Sequence, residues 1–237
     1  MKTFPKFLLS TIALAAAASA GAETVIDPSV TVNLSGWTYG TGNAVQVATP
    51  TYNGQAGGFK GALSNAGPYD NASFETHCVE LGQVFGFGQT YNNYRIVQGS
   101  TYDLWANNPA TAGQIGQLVT YANSLGAMND VKSTGLQLAI WELVYETPAN
   151  GWSLTGGTFT DSLNSASRAF GNSLLAGFSN TASMYNVDVL ASGNSREGNQ
   201  DFLILTAVPE PEGYALAFAG LACIGLFGRK FRTANKA

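Results

Sequence analysis

Short segments in which apolar residues alternate with small or polar ones fill the first part of this chain, and they restrict its fold more than any other feature. The segments VTVNLSGW (30–37) and AVQVAT (44–49) show the pattern, and the turn sequences TGN, YNGQAGG and NAGP divide them. Side chains of a strand point alternately to its two faces, so this pattern is typical of half-buried strands. We therefore predict that residues 24–100 form mainly strands.

Helical periodicity replaces the alternation in the centre of the chain. Asn108 and Pro109 suit a helix cap and a first helical position, and apolar residues then recur at helical spacing through Ala122. A second helix is predicted from about Asp130 to Thr147-Pro148, where proline disfavours helix in the preceding residue. Residues 151–160 then favour strand and turn, 162–178 a weaker third helix, and 184–191 and 200–208 closing strands. The predicted class is α+β, predominantly β: a β-sandwich or barrel-like domain with a helical insertion at about 108–147.

The amino-terminal residues have the features of a secretory signal. Lys2 and Lys6 precede an apolar run, and Ala18-Ser19-Ala20 forms a small-residue cleavage site. The run is short for a membrane span, which needs about 20 residues. We predict a signal peptide over residues 1–20, with cleavage after Ala22 as the alternative, and therefore export.

The carboxyl-terminal residues 209–237 form a second distinct segment. Pro209-Glu210-Pro211 precede an apolar run from Gly213 to Gly228, which is near the lower length limit for a membrane helix. The basic residues that follow would hold the end of the chain in the cytoplasm; they are Arg229, Lys230, Arg232 and Lys236. A simple membrane anchor is one interpretation of this segment.

The order of these three parts resembles the PEP-CTERM sorting signal. The resemblance implies processing by an exosortase in a Gram-negative bacterium, with transient insertion of the tail in the inner membrane before cleavage. It also implies a destination at the cell surface or in extracellular polymer.

Residues 21–208 then remain as one domain of ordinary size. They contain five basic and thirteen acidic residues, a formal net charge of −8. Nucleic acids and anionic lipids are bound through basic patches, so this charge argues against both as partners.

The stretch FETHCVEL (74–81) contains the single histidine of the chain, His77, next to Cys78. The other cysteine, Cys223, lies in the apolar tail, so Cys78 has no partner for an internal disulfide. If the stretch is a strand, His77 points away from Cys78, which argues against a cysteine hydrolase. One cysteine and one histidine are too few for a structural zinc site, and we expect no metal and no cofactor. A buried, inert thiol remains an alternative.

Gln137 is a polar residue on the apolar face of the predicted second helix. It shares an arc with Ile140, Trp141 and Val144, while Glu142 and Glu146 fall on the opposite side. A buried amide needs a partner. One possible partner is a neighbouring backbone group. The other is the Cys78 thiol, which can displace ammonia from the amide and form an internal thioester. Phe74 and Trp141 would shield that bond from water.

Thr76-His77-Cys78-Val79, followed 59 residues after the cysteine by Gln137 in LQLAIWE (136–142), resembles the Cys–Gln thioester domain of bacterial surface adhesins. The resemblance covers about residues 70–146. It implies that the thioester reacts once with an amine or hydroxyl group of a target and joins it to the glutamine carbonyl. Members of that family mostly occur on Gram-positive walls, whereas both ends of this chain indicate a Gram-negative cell.

The leading hypothesis is therefore an exported adhesin or matrix protein rather than an enzyme. Cys78 would carry the acyl group, Gln137 would donate it, and His77 would assist proton transfer. The target would be a host protein, a self-made polysaccharide or a neighbouring matrix protein. The alternative is a non-covalent structural or carbohydrate-binding protein of an exopolysaccharide or biofilm matrix, and a cysteine hydrolase is a third hypothesis.

Overall fold

The computed structural model describes residues 22–208, apart from residues 106, 107, 109, 148, 150 and 194–197. The predicted signal peptide and sorting tail lie outside the described residues. The described part has eight strands: β1 (Val25–Trp37), β2 (Asn43–Val47), β3 (Tyr52–Ala56), β4 (Phe59–Ser64), β5 (Asn71–Thr76), β6 (Thr90–Gln98), β7 (Tyr185–Ser192) and β8 (Phe202–Ala207). Its helices are α1 (Thr111–Ser124), α2 (Asp130–Tyr145) and α3 (Ser165–Gly177).

Six strands form one antiparallel sheet in the order β5-β4-β1-β6-β7-β8. The long strand β1 pairs with both β4 and β6, and its register shifts mark local irregularities that bend the sheet. The two outer strands approach each other, because Cys78 forms an isolated antiparallel bridge with Phe202. The sheet is therefore a nearly closed barrel, and the prediction of a predominantly β fold is confirmed.

The core follows from the alternation along the strands. Val30, Val32 and Leu34 of β1 have no exposed surface, while the residues between them are partly exposed. Tyr94 and Ile96 of β6 are likewise fully buried. Each such apolar side chain stabilises the fold by roughly 1.5–3 kcal/mol relative to an exposed one. The predicted strand segments 30–37 and 44–49 are confirmed in β1 and β2, with β2 ending at Val47.

Helix α1 begins later than predicted. The residue before its first turn is Ala110, which makes no side-chain capping bond, so Asn108 is not the cap. Asn108 instead accepts hydrogen bonds at its carbonyl from the Thr111 amide and hydroxyl groups. Pro109 lies outside the described residues. Within the part of the chain that is described, no helix has the length and apolar character needed to cross a membrane.

Helix α2 begins and ends close to the predicted residues. The Asn129 side chain caps it by accepting from the Lys132 amide. It crosses α3, the predicted third helix, at a pair of glycines. A Cβ atom on Gly135 would lie 2.6 Å from the Ser167 carbonyl oxygen, and one on Gly171 would lie 2.8 Å from the Gly135 carbonyl oxygen. Only glycine at these two positions allows the helices to approach so closely.

The side of α2 opposite Gln137 is also buried. Glu142 has no exposed surface and Glu146 is 5% exposed. Their carboxylates accept hydrogen bonds from backbone amides of the following loop, among them Ser153 to Glu142 at 2.7 Å and Phe159 to Glu146 at 3.3 Å. Residues 151–160 therefore form turns tied to the helix, and the prediction of a strand there is wrong.

Glu142 gives the fold a dependence on pH. Burial raises the pKa of this carboxyl to about 7, so the folded protein retains a proton that the unfolded chain releases near pH 4.5. The stability that this group provides is complete below pH 4.5 and is lost as pH rises through 7. We expect Glu142→Gln to unfold at a higher urea concentration than wild type at pH 8. The gain in the free energy of unfolding should be on the order of 1–2 kcal/mol, because nearby solvent screens part of the cost of burying the charged carboxylate. No gain is expected at pH 4.5, and equal gains at both pH values would contradict the assignment.

Candidate functional site

Cys78 lies at the seam where the barrel closes. Strand β5 ends at Thr76, so FETHCVEL is not one continuous strand as predicted. The chain leaves β4 there and turns to β8: the Leu203 amide donates to the His77 carbonyl and the Val79 amide to the Asp201 carbonyl, both at 3.0 Å. Cys78 between them is 5% exposed. The cysteine is thus fixed by backbone contacts that come from both ends of the sheet.

Gln137 reaches this seam from α2. It has no exposed surface, and its carboxamide is paired on both sides with the backbone of Cys78. The Cys78 amide donates to Gln137 Oε1 at 2.9 Å, and Gln137 Nε2 donates to the Cys78 carbonyl at 2.8 Å. The sequence left a backbone group or Cys78 as the partner of the Gln137 amide. The structure shows that the partners are backbone groups and that these groups belong to Cys78.

This pairing polarises the Gln137 amide. The Cys78 N–H lies where negative charge would develop on Oε1 if a nucleophile attacked the side-chain carbonyl carbon, Cδ. Burial raises the pKa of the Cys78 thiol well above its ordinary value, and the nearby carboxyl groups of Glu80 and Asp201 raise it further. The sulfur is therefore protonated at neutral pH, and as a thiolate it would be a strong base.

His77 points away from the thiol, as the strand alternation predicted. Its ring lies close to Gly58, where a Cβ atom would come within 3.1 Å of His77 Cε1. Burial lowers the pKa of the imidazole to about 4, so the ring is neutral at ordinary pH. The imidazole and the thiol therefore line two different cavities, which does not suit a cysteine–histidine dyad.

Aromatic side chains surround Cys78 and Gln137 in a cavity of about 240 Å³. Trp141 is 2% exposed and meets the Tyr52 ring edge-on at 5.6 Å. Phe74 does not line this cavity; it lies on a groove on the other side of the seam, together with His77. Of the two residues predicted to shield a thioester, Trp141 therefore lines the cavity of Cys78 and Phe74 does not, and other aromatic rings line the cavity beside Trp141. These are Trp37, Tyr52, Phe59, Phe85 and Phe87.

A buried polar network beneath the cavity was not predicted. Glu80 Oε1 accepts from the Gln200 side chain at 2.6 Å, and Glu80 Oε2 accepts from the Gln83 amide at 2.9 Å. Asp201 accepts from the Ser192 amide at 2.7 Å and from the Tyr102 hydroxyl. Burial raises the pKa of Asp201 to about 7. No local pattern marks these residues, because they lie far apart in the sequence and only meet at the seam.

Across the described residues, no group of three or more histidine, cysteine, aspartate and glutamate side chains is arranged to hold a metal ion. Comparison of the chain with protein-family models, with curated proteins and with solved structures found no match in any of the three.

Proposed function

We propose that Cys78 and Gln137 form an internal thioester through which the protein attaches covalently to a target surface. The observation that carries this proposal is the double hydrogen bond between the Gln137 carboxamide and the Cys78 backbone, because both are buried residues of one aromatic-lined cavity. It holds the acyl carbon beside the residue that bears the nucleophile. Such fixed proximity is worth a large effective concentration in an intramolecular reaction.

The reaction has two steps. In the first, Cys78 Sγ attacks Gln137 Cδ, the C–N bond breaks, and Nε2 leaves as ammonia after taking the thiol proton. In the second, an amine or hydroxyl group of the target attacks Cδ, the C–S bond breaks, and the sulfur leaves as a thiolate that takes up the proton of the nucleophile. The raised pKa of the thiol favours this last proton transfer. Each molecule reacts once, so the protein is not an enzyme.

The entrance to the cavity is suited to a contact with another surface. Val84 is 80% exposed and Phe87 41% exposed, and both belong to the loop that borders the cavity. Exposed apolar side chains grouped around a concave site are a common feature of binding surfaces. We propose that this rim rests on the target and excludes water while the acyl group is transferred.

The proposal includes the route that the two ends of the sequence predict. The chain would be exported, held briefly in the inner membrane by its tail, and released to the cell surface or extracellular matrix by an exosortase. Helices α1 and α2 would act as an inserted helical unit that carries Gln137 to the seam. The target would be a protein or polysaccharide of the matrix or of another cell.

Intact-mass measurement of the exported protein, purified without amines, tests the thioester. We expect wild type to be lighter than its processed sequence by the mass of one ammonia. Incubation with methylamine should then raise the mass to that of the processed sequence plus one CH2 unit, because an N-methyl amide replaces the original primary amide.

Cys78→Ser and Gln137→Glu are the matched controls, since each removes one reacting group with little change in volume. Both should have the mass of their sequence and should not react with methylamine. A wild-type mass equal to the sequence mass in freshly prepared protein would refute the proposal.

A further inference from the structure

An open groove of about 720 Å³ lies on the other side of the seam from the cavity that contains Cys78 and Gln137. The His77–Cys78 dipeptide separates the two, with His77 lining the groove and Cys78 lining the cavity. A volume of this size lies within the range of about 300–1,000 Å³ that is usual for ligand sites. It is large enough for several units of an oligomeric ligand.

Three half-buried tyrosines border the groove: Tyr39, Tyr69 and Tyr185. Two of them are held by hydrogen bonds, from the Tyr69 hydroxyl to Asp188 at 3.3 Å and from the Asn123 amide to the Tyr185 hydroxyl at 3.1 Å. Fixed tyrosine rings offer apolar faces and polar edges at a small entropic cost on binding. Such surfaces suit ligands that combine C–H faces with hydroxyl groups.

The charge of the groove excludes anionic ligands. Asp70 and Glu75 lie on its border, and no lysine or arginine is among its lining residues. His77 adds no positive charge, because its imidazole is neutral above about pH 4. The exposed Lys60 is the cross-strand partner of Glu75 but does not line the groove, so an anionic polymer would meet more carboxylates than cations there.

Two side chains that line the groove, those of Thr38 and His77, each contain a polar atom that is unpaired and is itself buried beneath the groove surface. The Thr38 hydroxyl oxygen and His77 Nδ1 are buried and have no hydrogen-bond partner among the described residues. Buried polar atoms are normally paired, and leaving one unpaired costs about 1–3 kcal/mol. The other polar side chains along the groove are short amides and hydroxyls; they are Asn71, Ser73, Thr76, Asn123 and Thr206.

We propose that this groove binds a neutral polysaccharide chain without forming a covalent bond. The binding would be independent of the thioester and would take place on a different face of the seam. A polypeptide strand is the competing occupant, because β5 and β8 meet only at residues 76–79 and 201–203 and the remainder of both edges lies along the groove. The tyrosine rings and the excess of carboxylates favour a neutral polysaccharide, and the test below separates the two. With both sites in use, the protein would link a polysaccharide to a covalently bound target.

Electrophoresis of the full-length chain in native gels that contain dissolved polysaccharide tests this proposal. The chain should carry Cys78→Ala so that no covalent attachment occurs. We expect at least one neutral polymer among dextran, laminarin, hydroxyethylcellulose and galactomannan to retard it, and alginate, which is anionic, to leave it unretarded. Tyr69→Ala should raise the apparent Kd about tenfold, and Tyr69→Phe should restore most of the binding because the ring remains.

Tyr121→Ala is the matched control, since Tyr121 is a half-buried tyrosine of α1 that does not line the groove. It should be retarded as strongly as the parent chain. The absence of retardation in all four neutral gels would overturn the proposal, as would equal retardation by alginate or no effect of Tyr69→Ala. Retardation by casein alone would assign the groove to polypeptides and would also overturn it. None of these outcomes bears on the mass test of the thioester, because the chain used here lacks Cys78.

Discussion

Replacement of Gln137 by leucine is expected to destabilise the protein by about 2–4 kcal/mol relative to Cys78→Ser. Neither variant can form a thioester, so the comparison isolates the hydrogen bonds of the amide. Leucine leaves the Cys78 N–H and C=O without their partners at a site where Gln137 has no exposed surface. Each unpaired buried group costs about 1–3 kcal/mol.

Urea unfolding followed by far-UV circular dichroism measures this difference. The midpoint should fall while the slope stays the same, because the surface exposed on unfolding hardly changes. In thermal unfolding, the Tm of Gln137→Leu should lie roughly 4–16 °C below that of Cys78→Ser for a domain of this size. Equal stability of the two variants would mean that the amide does not hold the seam.

Phe202→Ala is expected to cost about 3–5 kcal/mol, the range for removal of a buried aromatic side chain. Phe202 has no exposed surface, and its ring packs between Phe85 at 5.1 Å and Tyr94 at 6.1 Å, measured between ring centroids. It also forms the backbone bridge with Cys78. Its loss would therefore weaken the core and remove the packing behind Phe59 and Phe85, two rings that line the cavity of Cys78 and Gln137.

Two measurements separate these effects. Urea unfolding reports the stability, and intact-mass measurement over time reports hydrolysis of the thioester, which should be faster in Phe202→Ala because water enters the cavity. Leu205→Ala is the control on the same strand, since Leu205 is only half-buried. A loss of stability no larger than that of Leu205→Ala would contradict the role assigned to Phe202.

The sequence by itself determined the local structure well where one residue pattern decides it. Alternation along β1 predicted the strand and its buried face, because side chains of a strand point to opposite faces whatever the partner. Helical spacing and the proline after α2 predicted that helix and its approximate ends. The same reasoning placed His77 and Cys78 on opposite sides and singled out Gln137 as a buried amide.

Local patterns failed where a distant contact decides the structure. Asn108 is of a residue type that often caps helices, but here its backbone carbonyl accepts hydrogen bonds from the amide and the hydroxyl group of Thr111. Residues 151–160 have strand-like composition, but the buried carboxylates of Glu142 and Glu146 hold their backbone amides in turns. Such hydrogen bonds depend on how the chain folds back on itself, and a local sequence pattern does not reveal them.

The seam itself was decided by the tertiary structure alone. The sequence predicted that Cys78 and Gln137 are partners, but only the return of β8 to the end of β5 fixes Cys78 between the two edges of the sheet. The same closure buries Glu80, Gln200 and Asp201 and separates the cavity of Cys78 and Gln137 from the tyrosine-lined groove. The physical reason is that barrel closure pairs residues more than 100 positions apart, such as Thr76 and Leu203, and that pairing depends on the path of the whole chain.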